Sequence, residues 1–385
     1  MFLDMMSRRN PGLIQAGVQL HQEGVIPPNT YLIDVDAVLE NTTKLAAAAR
    51  EAQLTLYFIS KQFGRVPPLC QWISQQGIPQ AVAVDMDEAR ILHRAGVQLG
   101  HVGHLVQPGK NEWNEVLSLK PEVVTLFSLE RARQLSRQAE KMGLRQPVLL
   151  RVIKKGDEIY PGQQGGFSLQ ELPGMIPELL WLGGIKIAGV TSFPVLQMDP
   201  GRDQYQFTAN LETLKAARLI LEGAGVKVEQ INGPGGTCCL TIPELKAAGV
   251  THGEPGHALT GTTPLHAVRE DLPEIPAIIY VTEVSHQDDA HTYVIGGGFY
   301  GRSRMTGAFV GSKSSDILSR KVPASPLAAE YIDYYGALSA IEQIHPGDTA
   351  IFSFRTQIFV TRSHVALVCG IRQGKPEVVH FYWRG

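Results

Sequence analysis

The sequence predicts an α/β protein: a parallel (β/α)8 barrel of the TIM type, with a smaller C-terminal all-β domain that also takes up the N-terminal strand. Three observations carry this. Eight short runs rich in β-branched and apolar residues recur between residues 54 and 252, and amphipathic helical patterns separate them. After about Thr263 the rhythm changes to short alternating strands divided by Gly, Pro and His-Asp turns. Strict alternation of strand and helix implies parallel pairing, and eight such units close into a barrel whose reactive residues lie at the carboxyl ends of the strands.

In chain order, Tyr31 to Asp34 reads as one extra strand followed by a helix through about Ala48, so residues 1–35 are assigned to a segment joining the β domain. The barrel is assigned to 36–262. Its expected strands are Leu54 to Ser60, Ala81 to Val84, His101 to Val106, Val123 to Phe127, Val148 to Ile153, Ile185 to Phe193, Val226 to Ile231 and Gly249 to His252. Helical patterns cover Met86 to Ala95, Ser128 to Met142, Ser168 to Trp181 and Gln206 to Gly223. The β domain, 263–385, is expected to hold strands at Ala277 to Val284, Tyr293 to Ile295, Thr349 to Phe354, Ile358 to Thr361, Val365 to Ile371 and Val378 to Tyr382. A helix is expected over Ser325 to Glu342, with Pro326 in its first turn.

Of 385 residues, 44% are hydrophobic, enough to bury a substantial core. A net charge of −2 with 19% charged residues leaves no basic excess, so neither nucleic acid nor an anionic membrane is an expected partner, and a small ligand is. The opening MFLDMMSRRNPGLIQAG lacks the apolar run of a signal peptide, and no stretch reaches the roughly 20 apolar residues of a membrane span, so a cytoplasmic location is expected. Cys70, Cys238, Cys239 and Cys369 form no CxxC pair, which argues for reduced thiols.

Four motifs carry chemistry. Lys61 closes the first barrel run, where a partly desolvated amine can condense with an aldehyde; a lone lysine there is more often a solvated loop residue. Ile231-Asn232-Gly233-Pro234-Gly235-Gly236-Thr237 follows the seventh strand, where glycines let backbone N–H groups close on a phosphate; alone it is equally a glycine-rich turn. Gly253-Glu254-Pro255-Gly256-His257 follows the eighth. There Glu254 suits a ring nitrogen or, as a lone acid, a helix N-cap. Gly296-Gly297-Gly298-Phe299-Tyr300-Gly301-Arg302 has GxGxxG spacing but no helix to follow it, which rules out a dinucleotide site and leaves a loop delivering Tyr300 and Arg302, or a plain hairpin turn.

Lysine after strand one, the glycine loop after strand seven and Glu-Pro-Gly after strand eight together resemble the alanine racemase-like family of pyridoxal 5′-phosphate (PLP) enzymes, fold type III, and within it the YhfX-like branch. The resemblance implies a Schiff base at Lys61 and phosphate contacts at Gly235, Gly236, Thr237, Gly256 and His257. It also implies a head-to-tail homodimer with shared active sites, in which Tyr300 is the second base. Glu254 stands where alanine racemases carry arginine, so the ring should stabilise a full carbanion. The decarboxylases' Cys-Glu-x-x-Asp signature is absent, and His364 and Cys369, five apart on one strand, point to opposite faces, so no metal is expected. The histidine that racemases carry after strand six is missing from Thr191-Ser192-Phe193-Pro194, which makes Arg151 the candidate partner of the cofactor's ring oxygen. The preferred activity is an amino-acid racemase or epimerase; the alternatives are a metal-free D-amino-acid lyase and a PLP carrier without turnover. Arg65, Arg302 and Arg304 are candidates for receiving the substrate carboxylate.

Overall fold

The computed structural model describes residues 1–384 apart from Pro200, Arg304 and Ala329. Two compact units emerge, one of residues 45–60 and 70–256, the other of 1–44, 61–69 and 257–385.

The first unit is a closed parallel barrel. Its strands are β2 (Thr55–Ile59), β3 (Gln80–Ala83), β4 (Gln98–Val102), β5 (Val123–Leu126), β6 (Gln146–Ile153), β8 (Ile185–Thr191), β11 (Gln230–Asn232) and β12 (His252–Gly253), and pairing of β5 with β6 completes the ring. A short β7 (Phe167–Ser168) pairs in parallel with the end of β6. The hairpin of β9 (Leu196–Asp199) and β10 (Gln204–Phe207) interrupts the connection after β8. It also shortens the helix expected from Gln206, which starts at Ala209. Helices α5 (Met86–Arg94), α6 (Trp113–Ser118), α7 (Leu129–Lys141), α8 (Leu172–Trp181), α9 (Ala209–Gly223) and α10 (Thr241–Ala247) follow their strands, while α3 (Val35–Ala52) and α4 (Pro67–Gln75) begin in the other unit. Asp85 and Ser128 cap α5 and α7 through their side-chain oxygens, and Pro173 sets the first turn of α8, later than the expected Ser168.

The barrel interior is packed by side chains: Tyr57, Ile59, Val82 and Val84 form one buried cluster. Two glycines make that closure possible. A Cβ on Gly100 would stand 2.4 Å from the Tyr57 ring, and one on Gly189 would stand 1.7 Å from the carbonyl oxygen of Gln230, so β8 can lie against β11 only without a side chain there.

The second unit is built on a sheet ordered β16 (Lys321–Pro323), β15 (Gly307–Gly311), β18 (Thr349–Phe352), β13 (Ile278–Gln287), β1 (Thr30–Asp34), β19 (His364–Cys369), β20 (Glu377–Tyr382), with β14 (His291–Ile295) and β17 (Tyr335–Ser339) attached through β13. The early strand is thus taken up as expected, antiparallel to β13 and parallel to β19. Two helices that the sequence pattern did not reveal, α1 (Phe2–Arg9) and α2 (Pro11–Gln22), cover the sheet with Leu3, Met6, Leu13, Ile14 and Val18 against Ile279, Val281 and Ile351.

The helix expected over Ser325 to Glu342 does not form. Its second half is β17, paired with β14, and the N–H of Ser325 donates to the carbonyl of Ala337. Gly336 is the reason: it weakens a helix by about 1 kcal/mol, whereas in the strand it makes room for the Phe299 ring, which a Cβ would meet at 2.6 Å. Ile358 to Thr361, expected as a strand, is instead a 3-10 turn over Ile358–Val360. The strands at Gly307–Gly311 and Lys321–Pro323 were not foreseen. Among the described residues no helix is long and apolar enough to cross a membrane.

Candidate cofactor site

Within the barrel unit, the ends of β2 and β12 leave side by side, the N–H of Ile59 donating to the carbonyl of Pro255 at 2.9 Å. Glu254, one residue past β12, is 4% exposed. Its Oε1 accepts from Nδ1 of His101 at 2.7 Å and from Nδ2 of Asn232 at 2.9 Å. Its Oε2 lies 3.6 Å from Nε2 of His104 and accepts no hydrogen bond from the described residues. Burial pushes this carboxyl's pKa up, but the imidazoles of His104 and His101 and the bonds from His101 and Asn232 outweigh it and bring it to about 2. Glu254 is therefore an anion with one oxygen held and the other open.

His101, on β4, is fixed at both ring nitrogens, by Glu254 and by the Thr125 hydroxyl. The imidazole of His104 stands 5.0 Å from that of His101 and 5.7 Å, edge-on, from Phe193. His101, His104 and Glu254 form a group of metal-ligand type that sequence reasoning missed; a His-x-x-His pair at the end of the third barrel strand was the available signal. With both nitrogens of His101 already bonded, the arrangement is a carboxylate held by donors.

The glycine-rich loop after β11 is shaped as a cradle. Gly235 and Gly236 take positive φ, +113° and +64°, and the N–H groups of Gly235, Gly236 and Thr237 donate to no other described residue. A Cβ on Gly236 would meet the Tyr205 ring at 2.7 Å. The Thr237 hydroxyl accepts from the N–H of Glu254 at 3.1 Å, tying the cradle to the carboxylate.

Arg151, on β6, is 1% exposed. Its Nη2 donates to the carbonyl of Gln163 at 2.6 Å and its guanidinium covers the Phe127 ring at 4.7 Å, while Nε and Nη1 are buried with no acceptor among the described residues. Burial lowers its pKa, and a guanidinium so placed calls for an acceptor from a bound molecule.

Within the other unit, Lys61 opens a 3-10 turn, Lys61–Phe63, two residues after β2 ends. The Tyr300 hydroxyl donates to the carbonyl of Arg355 at 2.7 Å, and burial pushes its pKa up to about 12 against the lowering charges of Arg355 and Arg302. Nε2 of the His257 imidazole accepts from Nε of Arg355 at 3.1 Å, so its proton sits on Nδ1, 3.1 Å from the Thr262 hydroxyl. Burial, then the charges of Arg355, Lys61 and His266, hold it neutral, far below the usual histidine range. Its side chain is thereby committed, and only its backbone N–H remains for a ligand. Arg65 stacks over Phe359, Arg302 is exposed, and Arg304 lies outside the described residues. His364 and Cys369 stand at the two ends of β19.

Residues 33–264 match the family model described as alanine racemase, N-terminal domain, and residues 279–378 match the one described as YhfX-like, C-terminal domain. The chain belongs to the alanine racemase-like family, in its YhfX-like branch. It is 40% identical to the uncharacterized protein YhfX of Escherichia coli K12 over 382 residues, covering 99% of this chain and 98% of that one. Its fold is similar to that of alanine racemase from Clostridium difficile 630 in complex with cycloserine (TM-score 0.65, 15% identity, 93% and 98% of the two chains). It is also similar to D-threo-3-hydroxyaspartate dehydratase from Delftia sp. HT23 (TM-score 0.67, 16% identity, 94% and 97%). The alanine racemase-like family is PLP-dependent. The barrel unit of this member fits that cofactor on three counts: unpaired backbone N–H groups for its phosphate, buried unpaired guanidinium donors for its ring oxygen, and an open carboxylate oxygen for its ring nitrogen.

Proposed function

We propose that this protein is a PLP-dependent amino-acid racemase or epimerase, in which Lys61 and Tyr300 move the α-proton on opposite faces of the substrate. The observation that carries the reading is Glu254, ionised, buried and open at Oε2. PLP, when bound, supplies an aldehyde for the substrate amine and a ring that takes up the electron pair left by the α-proton. Glu254 Oε2 would hold the proton on the ring nitrogen. Asn232 and His101 fix the carboxylate through Oε1, and Arg151 would donate to the ring oxygen. Gly235, Gly236, Thr237 and Gly256, with the backbone of His257, would hold the phosphate. Lys61 would hold the cofactor and its Nζ would take the α-proton; Tyr300 Oη, kept protonated by burial, would return one from the other side. The reading places the protein in the cytoplasm as a homodimer with shared sites, acting on a small amino acid without a metal.

A metal-free D-amino-acid lyase is the second reading, favoured by the same protonated Tyr300, which suits an acid for a departing β-substituent. Borohydride reduction of protein loaded with PLP, followed by peptide mapping, should label Lys61, and Lys61→Ala should remain unlabelled. A panel of amino acids in deuterated water then separates the reactions. Racemisation gives α-deuterium with inverted configuration, whereas ammonia and a keto acid would replace it by the lyase, and bound cofactor with no exchange would leave a carrier. If sites are shared, mixing the inactive Lys61→Ala and Tyr300→Phe proteins should restore activity.

A further inference from the structure

The loop after β18 places a cation for which the described residues offer no counter-ion. Arg355 is half-buried and held at two points: its Nε donates to Nε2 of His257 at 3.1 Å, and its carbonyl accepts from the Tyr300 hydroxyl at 2.7 Å. Its two Nη groups donate to no described acceptor, and no described carboxylate pairs with it. Gln357 sits on the same imidazole, with Nε2 at 3.2 Å from Nε2 of His257, and its buried Oε1 has no donor among the described residues. His257 explains the orientation: with its proton on Nδ1 toward Thr262, Nε2 is an acceptor only and fixes the guanidinium through Nε, which leaves the Nη pair presented as a fork. A guanidinium fixed in this way matches the paired oxygens of a carboxylate or phosphate, and Gln357 Oε1 can accept an N–H or O–H from the same ligand.

We propose that Arg355, anchored by His257, is an oxyanion receptor of this protein. Two groups have this chemistry: the phosphate of the cofactor and the carboxylate of the substrate. The inference deepens the PLP reading, but the anion site can be tested without it. Calorimetric titration of protein freed of PLP with inorganic phosphate and with propionate, using propionamide as the neutral control, reads the site directly. Arg355→Gln should weaken at least one of the two anions tenfold or more and leave the amide unchanged, with Arg355→Lys intermediate; circular dichroism of each variant checks the fold. Weaker phosphate and PLP with unchanged pyridoxal would assign the fork to the cofactor phosphate. Weaker propionate with unchanged PLP would assign it to the substrate carboxylate. Wild-type protein that binds neither anion, or Arg355→Gln that binds both as wild type does, would overturn the proposal. Lys61 left unlabelled after borohydride, with phosphate binding still lost in Arg355→Gln, would instead remove the PLP reading and keep the anion site.

Discussion

Glu254 concentrates the chemistry of the barrel unit in one side chain. Replacing it by glutamine keeps the shape and the bonds to Asn232 but removes the charge, so the ring nitrogen loses its anionic partner. We expect Glu254→Gln to retain PLP on Lys61 while α-hydrogen exchange slows by about 10² to 10³, the scale of losing one preorganised electrostatic contact; equal exchange rates in both proteins would remove Glu254 from the reaction. The same residue has a signature in stability. Its pKa falls on folding from 4.5 to about 2, so its contribution is fully present above pH 4.5 and is lost as pH falls toward about 2. Denaturant unfolding across this window should show the wild type losing more stability than Glu254→Gln. Lys61, Glu254 and the glycines were legible because their order along the chain is a pattern in itself. His101, His104 and Arg355 were not, since their partners, Glu254 for the two histidines and His257 for the arginine, lie about a hundred residues or more away in the chain.

Secondary structure follows the sequence pattern where periodicity and position agree. Buried parallel strands are short apolar runs, and each of the eight begins or ends within a few residues of its expected place. Local preference is overridden where tertiary partners intervene, as at β17, where pairing with β14 and packing of Phe299 over Gly336 outweigh a helical pattern. Glycines test how tightly the elements are specified. Gly189→Ala places a Cβ against a backbone oxygen and should destabilise the barrel by about 1–3 kcal/mol or more. Gly223→Ala, at the end of α9 with open space around it, should stabilise by about 0.4–1 kcal/mol. Thermal or urea unfolding of the pair decides this, and destabilisation by both would mean that α9 is packed more closely than its open surroundings indicate.

At the scale of the molecule, the sheet of the second unit depends on a cover contributed by the first 22 residues. Ile14 is fully buried among Ile279, Val281 and Ile351, so Ile14→Ala should cost about 2–5 kcal/mol in equilibrium unfolding; a loss under 1 kcal/mol would mean that α2 packs loosely. Because the proposed chemistry uses a carboxylate held by histidines and asparagine rather than a metal, prolonged chelator treatment should leave turnover unchanged, and activity restored only by a divalent ion would reassign His101, His104 and Glu254 as ligands.

The sequence by itself determined the alternation of strand and helix, the change to a β domain, the capture of an early strand, and the three motifs at strand ends from which the family could be named. These are properties of order and period, and a linear chain displays both. The tertiary structure decided which oxygen of Glu254 is held and which is open, and it supplied the anchor that fixes Arg355. It also brought two unforeseen helices onto the sheet. Such features depend on distances between residues as much as 334 positions apart, such as Asp36 and Gly370, and no local pattern encodes them.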